Sequence, residues 1–409
     1  MSMTVLMFGS LPPPYGGVSV HVKSLCKELS KCIKVIVVND KPSCDTSDLG
    51  ETLIYFPMTT ISGLRSKKSL SDLLRTIEMN IKTYQLGGIR TSTTFLKTST
   101  KYIKLNFNPL REVIFFPLLG RILKKHAIDL IHTHHAGVRT LRGIMTKELW
   151  KLRVPLVVTV HGGEFYREDR NLVMTKFVLE EASKIIVTSE KVKNLVKALD
   201  IDLSKLVKIP NGVDTNYFRP LNLKKSGKTI KLLFVGRISR IKGVHDLMES
   251  FKSLAHRYEN LKLILVSSGG TPLALKLIRK FELEGKVEVI EGVPHKDMVY
   301  VYNSADIFVL PSRFEAFGMS ILEAMSCGLP VVTTYQYNNK HEFVKDRVNG
   351  FLVQVGNVAD LTDKLSRLIE DEHLRQRLGK KARETVVKEF NWHLIAEKVI
   401  DVYSKLLTC

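Results

Sequence analysis

Ser312-Arg313-Phe314-Glu315-Ala316-Phe317-Gly318-Met319-Ser320-Ile321-Leu322-Glu323-Ala324-Met325-Ser326-Cys327-Gly328-Leu329-Pro330-Val331-Val332 decides the fold of this 409-residue chain. It joins two apolar runs, Ile307 to Leu310 and Val331 to Val332, neither of which carries an alternating polar face. Runs of that kind are strands buried on both sides of a parallel sheet. A strand, turn, helix, strand unit follows. Gly318 lets the backbone come close to a ligand, and a helix from about Ser320 offers unpaired N–H groups and a positive dipole end, so the turn is an anion site. Glu315 and Glu323 can face the crevice beyond the carboxyl ends of the strands, where carboxylates suit sugar hydroxyls. The four residues Ser320 to Glu323 also read as a capping box, in which Glu323 only closes the helix start.

The pattern extends further: Glu315, then Phe317-Gly318, then Glu323 eight residues after the first glutamate, then Ala324-Met325 and Gly328-x-Pro330. In this it resembles the retaining nucleotide-sugar glycosyltransferases of family 4, the glycosyl transferases of group 1, which have the GT-B fold. A second stretch, Gly236-Arg237-Ile238-Ser239-Arg240-Ile241-Lys242-Gly243, follows the apolar run Lys231 to Val235. Taken alone it is either a solvated basic turn or a diphosphate clamp, with guanidinium holding two oxygens and ammonium adding a compact charge. It matches the Gly-Arg-x-x-x-x-Lys-Gly of the resembled family.

The resemblance implies a role for each matching residue. Arg237, Lys242 and the helix start after Gly318 would stabilise the departing nucleoside diphosphate. Glu323 would hold the ribose hydroxyls, Glu315 the donor sugar, and Phe317, Gly318 and Met319 would present backbone amides. Val293, in Val287 to Pro294, would lie where the base is held through backbone. His161 would position the sugar from the first domain, and His134 or His135 would line the acceptor side. Gly16-Gly17 at a helix start would line the donor and acceptor cleft; as two glycines alone they make a plain turn. The chain departs from the family at Ser267-Ser268-Gly269-Gly270, which does not begin with glycine, and at Tyr335 to His341, which replaces a small glycine-containing loop.

The length favours two domains, and 44% hydrophobic residues suit ordinary globular folding. The expected fold class is α/β: two doubly wound Rossmann-like domains facing each other across a cleft. Residues 1–214 would form the acceptor-side domain, 215–390 the nucleotide-sugar domain, and 391–409 a helix crossing back to the first. Strand and helix alternate along the first domain through Val5 to Phe8, Ile33 to Val38, Ile128 to His135, Val154 to Val160 and Ile185 to Ser189. Three histidines within four residues, His132, His134 and His135, invite a zinc reading. Strand geometry puts neighbours on opposite faces and no carboxylate motif completes a site, so no metal is expected.

A net charge of +21 and a pI near 9.6 mean a surface that attracts polyanions. Between Thr60 and Lys125 thirteen basic residues face three acidic ones, interleaved with Tyr84, Phe95, Tyr102, Phe107, Phe115 and Phe116. Within residues 44–125 this is either a surface that meets acidic lipid or a solvated face over ordinary helices. No nucleic-acid signature accompanies the charge. The five cysteines are odd in number and lack metal-ligand spacing, which suits a reducing cytoplasm. No apolar run approaches the roughly 20 residues of a membrane span, and Met1 to Ser10 reads as a first strand rather than a signal peptide.

The expected activity is transfer of a hexose-like sugar, with retention, from a UDP- or GDP-sugar to a glycan or lipid-linked acceptor hydroxyl, in the cytoplasm, either free or peripheral on the cytoplasmic membrane face. No metal or other cofactor is needed where cationic side chains and a helix dipole neutralise the leaving group. The rival readings are a GT-B nucleotide-sugar epimerase and a non-catalytic nucleotide-sugar-binding protein at the membrane.

Overall fold

Strands apolar on both faces need a layer of helices on each side, and the two sheets of the chain are built that way. The structure, a computed structural model, describes residues 3–12, 16–39, 49, 53–57, 119–120, 122–123, 125–165, 171–222, 228–335 and 340–408. The basic segment from Thr60 to Leu118 and residues 336–339 of the departing loop lie outside the described residues.

The chain divides into two units. One holds Met1–Thr188, Val192–Ile209 and Ala396–Cys409; the other holds Ser189–Lys191 and Pro210–Ile395. In the first, β1 (Thr4–Gly9), α1 (Gly17–Leu29), β2 (Lys34–Asn39), β3 (Leu53–Pro57), β4 (Leu130–His134), α2 (Val138–Trp150), β5 (Leu156–Val160), α3 (Leu172–Glu180), β6 (Lys184–Val187), α4 (Glu190–Lys197) and β7 (Leu206–Lys208) follow in order. All seven strands are parallel in the order β3-β2-β1-β4-β5-β6-β7. β1, β4 and β5 are buried along their whole length, whereas β7, at the sheet edge, is not.

The second unit repeats the design with β8 (Ile230–Val235), α5 (Val244–Arg257), β9 (Leu261–Ser267), α6 (Thr271–Phe281), β10 (Val287–Glu291), α7 (Met298–Asn303), β11 (Ile307–Leu310), α8 (Met319–Ser326), β12 (Val331–Thr334), β13 (Phe351–Val353), α9 (Val358–Glu370) and α10 (Glu372–Glu389). Its parallel order is β10-β9-β8-β11-β12-β13. The unit read from Ile307 to Val332 is present as β11, α8 and β12, with Phe308 opposite Val331. In both sheets the order reverses beside the first strand, between β1 and β4 and between β8 and β11. At such a switch point the neighbouring crossovers leave in opposite directions and open a crevice at the carboxyl ends.

A last helix, α11 (Trp392–Leu407), serves each unit with a different end. Trp392 packs on Gly212, where an added Cβ would stand 2.7 Å from the indole. Tyr403, fully buried, meets His132 Nδ1 at 2.5 Å through its hydroxyl. Among the described residues no helix is long and apolar enough to cross a membrane.

Gly379 in α10 is a packing requirement, because a Cβ there would overlap the carbonyl oxygen of Gly328 in the α8–β12 turn. Replacing a helix-interior glycine by alanine ordinarily stabilises by about 1 kcal/mol. Gly379→Ala is expected to reverse that sign and lower stability by about 1–3 kcal/mol through overpacking, read as a lower urea midpoint by circular dichroism.

Candidate functional site

At the β8/β11 switch point three loops are drawn together by their backbones. Gly243 takes φ 71° and its α-carbon lies so close to Pro311 that an added Cβ would overlap the Pro311 carbonyl. The amide of Arg313 donates to the carbonyl of Ile241 at 2.8 Å, and the amide of Ile238 donates to that of Gly269 at 3.0 Å. Gly270, at φ 97°, lies against the Ile238 carbonyl in the same way. Arg313 also holds Asp246 in the first turn of α5 through Nη2, at 2.8 and 3.0 Å.

This stitching brings Lys242 to Glu315: Nζ and Oε2 are 2.5 Å apart, and both groups are partly screened from water. Arg237, in the loop directly after β8, is exposed and pairs with no acidic side chain among the described residues. Lys242 lies in a 3-10 turn, Arg240–Lys242, that Gly243 closes. α8 begins at Gly318, whose φ of 98° is open to glycine at little cost, and no side chain caps it. Phe317 turns its ring into the core against Phe343, 5.2 Å between centroids, leaving backbone as what it can offer a ligand. Met319 is partly buried against the same core.

The capping box that Ser320 and Glu323 could form is not made. Glu323 is buried and its Oε2 accepts a 2.6 Å hydrogen bond from the Tyr302 hydroxyl, while Oε1 lies 3.8 Å from His295 Nε2. Burial, then the Glu323 charge, holds the Tyr302 phenol well above its usual range, so the hydroxyl keeps its proton and donates. Val293 lies two residues before His295, in the turn after β10 where Gly292 takes φ 76°. Tyr302 and His295 were not legible as site residues: Tyr302 falls on the apolar face of a short helix, and only a tyrosine hydroxyl in a position otherwise fit for phenylalanine hints at a buried acceptor.

The first unit gathers histidines at its own switch point. α1 starts at Gly17 with Gly16 as its cap, and Ser19 Oγ contacts both the amide and the carbonyl of Gly16 at 3.0 Å. One turn on, His21 points inward from α1 and is buried. It meets His134 from the end of β4 and His161 from the end of β5, with ring centroids 5.3 and 4.8 Å away and edge-to-face geometry. His134 Nδ1 and His161 Nε2 are 3.2 Å apart. His132 packs on His134 and bonds Tyr403 and Thr159 through its two nitrogens. His135, at φ 85°, departs from the others and lies 3.6 Å from Glu164. Glu164, buried, also accepts from the amides of Ala136 and His161. The expectation that neighbouring strand histidines separate to opposite faces holds for His135 against His134, but alternation puts His132 and His134 side by side. No sequence motif marks His21 or Glu164; the signal for His21 is its place on the inward stripe of α1 beside Val22 and Leu25.

Two such ends, one with a helix start and an ammonium–carboxylate pair, the other lined by imidazoles, define an α/β protein of two doubly wound units, each with a polar cluster at its switch point. The sequence profile described as "Glycosyl transferases group 1" matches residues 219–385, and that of "Glycosyltransferase Family 4" matches residues 15–217. An uncharacterized glycosyltransferase of Methanocaldococcus jannaschii is 30% identical over 362 residues, 86% of this chain and 97% of the relative. The capsular polysaccharide biosynthesis glycosyltransferase CapM of Staphylococcus aureus is 30% identical over 325 residues, 73% of this chain and 83% of CapM. Among solved structures, Anabaena HepE in complex with UDP and glucose superposes with a TM-score of 0.74 at 18% identity, over 98% of this chain and 100% of that one, which shows the fold. The chain belongs to the family 4, group 1 glycosyltransferases; it is a glycosyltransferase with the GT-B fold.

Burial sets the protonation of these histidines. It lowers the pKa of His132 to about 3, with His21 adding to the effect, and holds His134 and His161 well below the usual imidazole range, again with neighbouring histidines adding. His341 in the second unit is lowered to about 3 by burial. Unfolded histidines titrate near 6.5, so below about pH 7 the unfolded chain binds more protons than the folded one, and stability drops as the pH is lowered. The expected slope is about 1.4 kcal/mol per pH unit for each such histidine once the unfolded imidazole is charged. Unfolding in urea between pH 7 and pH 5 measures it, and His341→Leu should lose one histidine's part of the slope.

Proposed function

We propose that this chain moves a sugar from a UDP- or GDP-sugar to an acceptor hydroxyl with retention of configuration, the acceptor being a glycan or a lipid-linked glycan. The observation that carries the reading is the Lys242–Glu315 pair beside the start of α8. An ammonium already poised on a carboxylate can exchange that partner for a diphosphate oxygen, which releases Glu315 to accept from sugar hydroxyls. Arg237 is free to clamp the same diphosphate in two-oxygen geometry. First-turn N–H groups of α8 complete a cradle for charge that grows as the glycosidic bond breaks. In this reading Glu323, hydrogen-bonded by Tyr302, takes the ribose hydroxyls, and His161 hydrogen-bonds the sugar.

These charges supply what a metal would, so the transfer is proposed to need none. HepE, solved with UDP and glucose, supports a nucleotide-sugar donor, and the name of CapM supports a polysaccharide product. The basic composition of residues 60–125 supports a reaction at an acidic membrane surface, and the free thiols of Cys26 and Cys327 support a reducing compartment.

Lys242→Ala is expected to lower kcat by about 10²–10³-fold, the loss typical when one preorganised charge donor is removed, with an unchanged circular dichroism spectrum. Turnover is read as nucleoside diphosphate released and glycoside formed from a panel of UDP- and GDP-sugars with lipid-linked acceptors. Equal turnover in wild type and variant would sink the clamp, and donor consumed without a glycoside would point to an epimerase. Tyr302→Phe should act on binding instead: loss of one hydrogen bond worth about 1 kcal/mol raises KM for the donor roughly 5-fold with kcat little changed.

A further inference from the structure

The histidines of the first unit are arranged for more than hydrogen bonding. One nitrogen each of His21, His134 and His161 lies within 4.8 Å of the other two. The 3.2 Å between His134 Nδ1 and His161 Nε2 is close to the edge of a tetrahedron, about 3.3 Å, whose corners stand 2.0–2.1 Å from a central zinc ion. All three rings come from regular elements or their ends, α1, β4 and β5, so their spacing is set by packing rather than by loop conformation.

The neighbouring histidines show why these three and not others. His132 has both nitrogens engaged, by Tyr403 and Thr159, and His135 turns away to Glu164. Three imidazoles without a carboxylate suit zinc, cobalt, nickel or copper and not magnesium or calcium, which take oxygen ligands. Three protein ligands also leave a fourth position open.

We propose that His21, His134 and His161 form a three-imidazole site for a zinc-type dication, and that filling it withdraws His161 from the donor sugar and stops transfer. The binding half stands on geometry alone; the inhibitory half rests on the role given to His161 above. None of the three histidines is a residue of the diphosphate cradle, and the transfer reaction does not pass through the metal.

Cobalt(II) titration of untagged protein tests the first half without any turnover. Wild type is expected to take up one cobalt with the visible d–d absorption of a four-coordinate site, zinc to displace it, and magnesium to leave it unchanged. His21→Ala should bind cobalt about 10-fold more weakly or worse, since even the outer-shell partners of a ligand cost that much, whereas His135→Ala should bind as wild type does. No absorption in wild type, or equal affinity in His21→Ala, overturns the site. Should His21→Ala not fold, X-ray absorption at the zinc edge on loaded wild type decides: three imidazole nitrogens support the site and fewer overturn it. For the second half, zinc at saturating level should abolish glycoside formation in wild type and chelation restore it. Persistent transfer with the site spectroscopically full overturns inhibition and leaves binding intact, while absence of transfer with and without metal counts against the transferase reading instead.

Discussion

The close approach of Gly243 to the carbonyl of Pro311 is the constraint on which the second unit's site depends. The loops after β8 and β11 leave neighbouring strands at the point where the sheet order reverses, and side chains on both would hold them apart. With a hydrogen atom in place of Cβ they meet, and Lys242 and Glu315 come within 2.5 Å. Gly270 against Ile238 extends the same arrangement to the loop after β9. The ammonium of Lys242 is thus held beside Glu315 by the backbone of these loops.

The first unit uses the same topology with different chemistry. Burial lowers the pKa of His132, His134 and His161 at its switch point, so these rings can donate and accept without carrying charge into a low-dielectric environment.

Much of this was legible in the chain because parallel strands buried on both faces spell continuous apolar runs. Ile307 to Leu310, Val331 to Val332 and Val5 to Phe8 each read that way, and the loop residues between them carry the family's pattern. What escaped notice depends on distance in sequence. Tyr302 reaches Glu323 from another helix, and His21 reaches His161 across 140 positions, so neither partner can be read from local spacing. Glu323 shows the limit from the other side: its four-residue context spells a cap, yet the chain uses glycine at the helix start and spends the carboxylate on Tyr302. Local patterns state which bonds a side chain could make, and tertiary packing selects among them.

The last helix has a bearing on how the chain is made. Tyr403 is locked into the first unit through His132, a partner 271 positions earlier. A ribosome therefore completes the whole second unit before it delivers the residue that closes the first. The first unit must wait with a gap beside His132 while the second is synthesised. Order of birth and order of completion run opposite ways along this polypeptide.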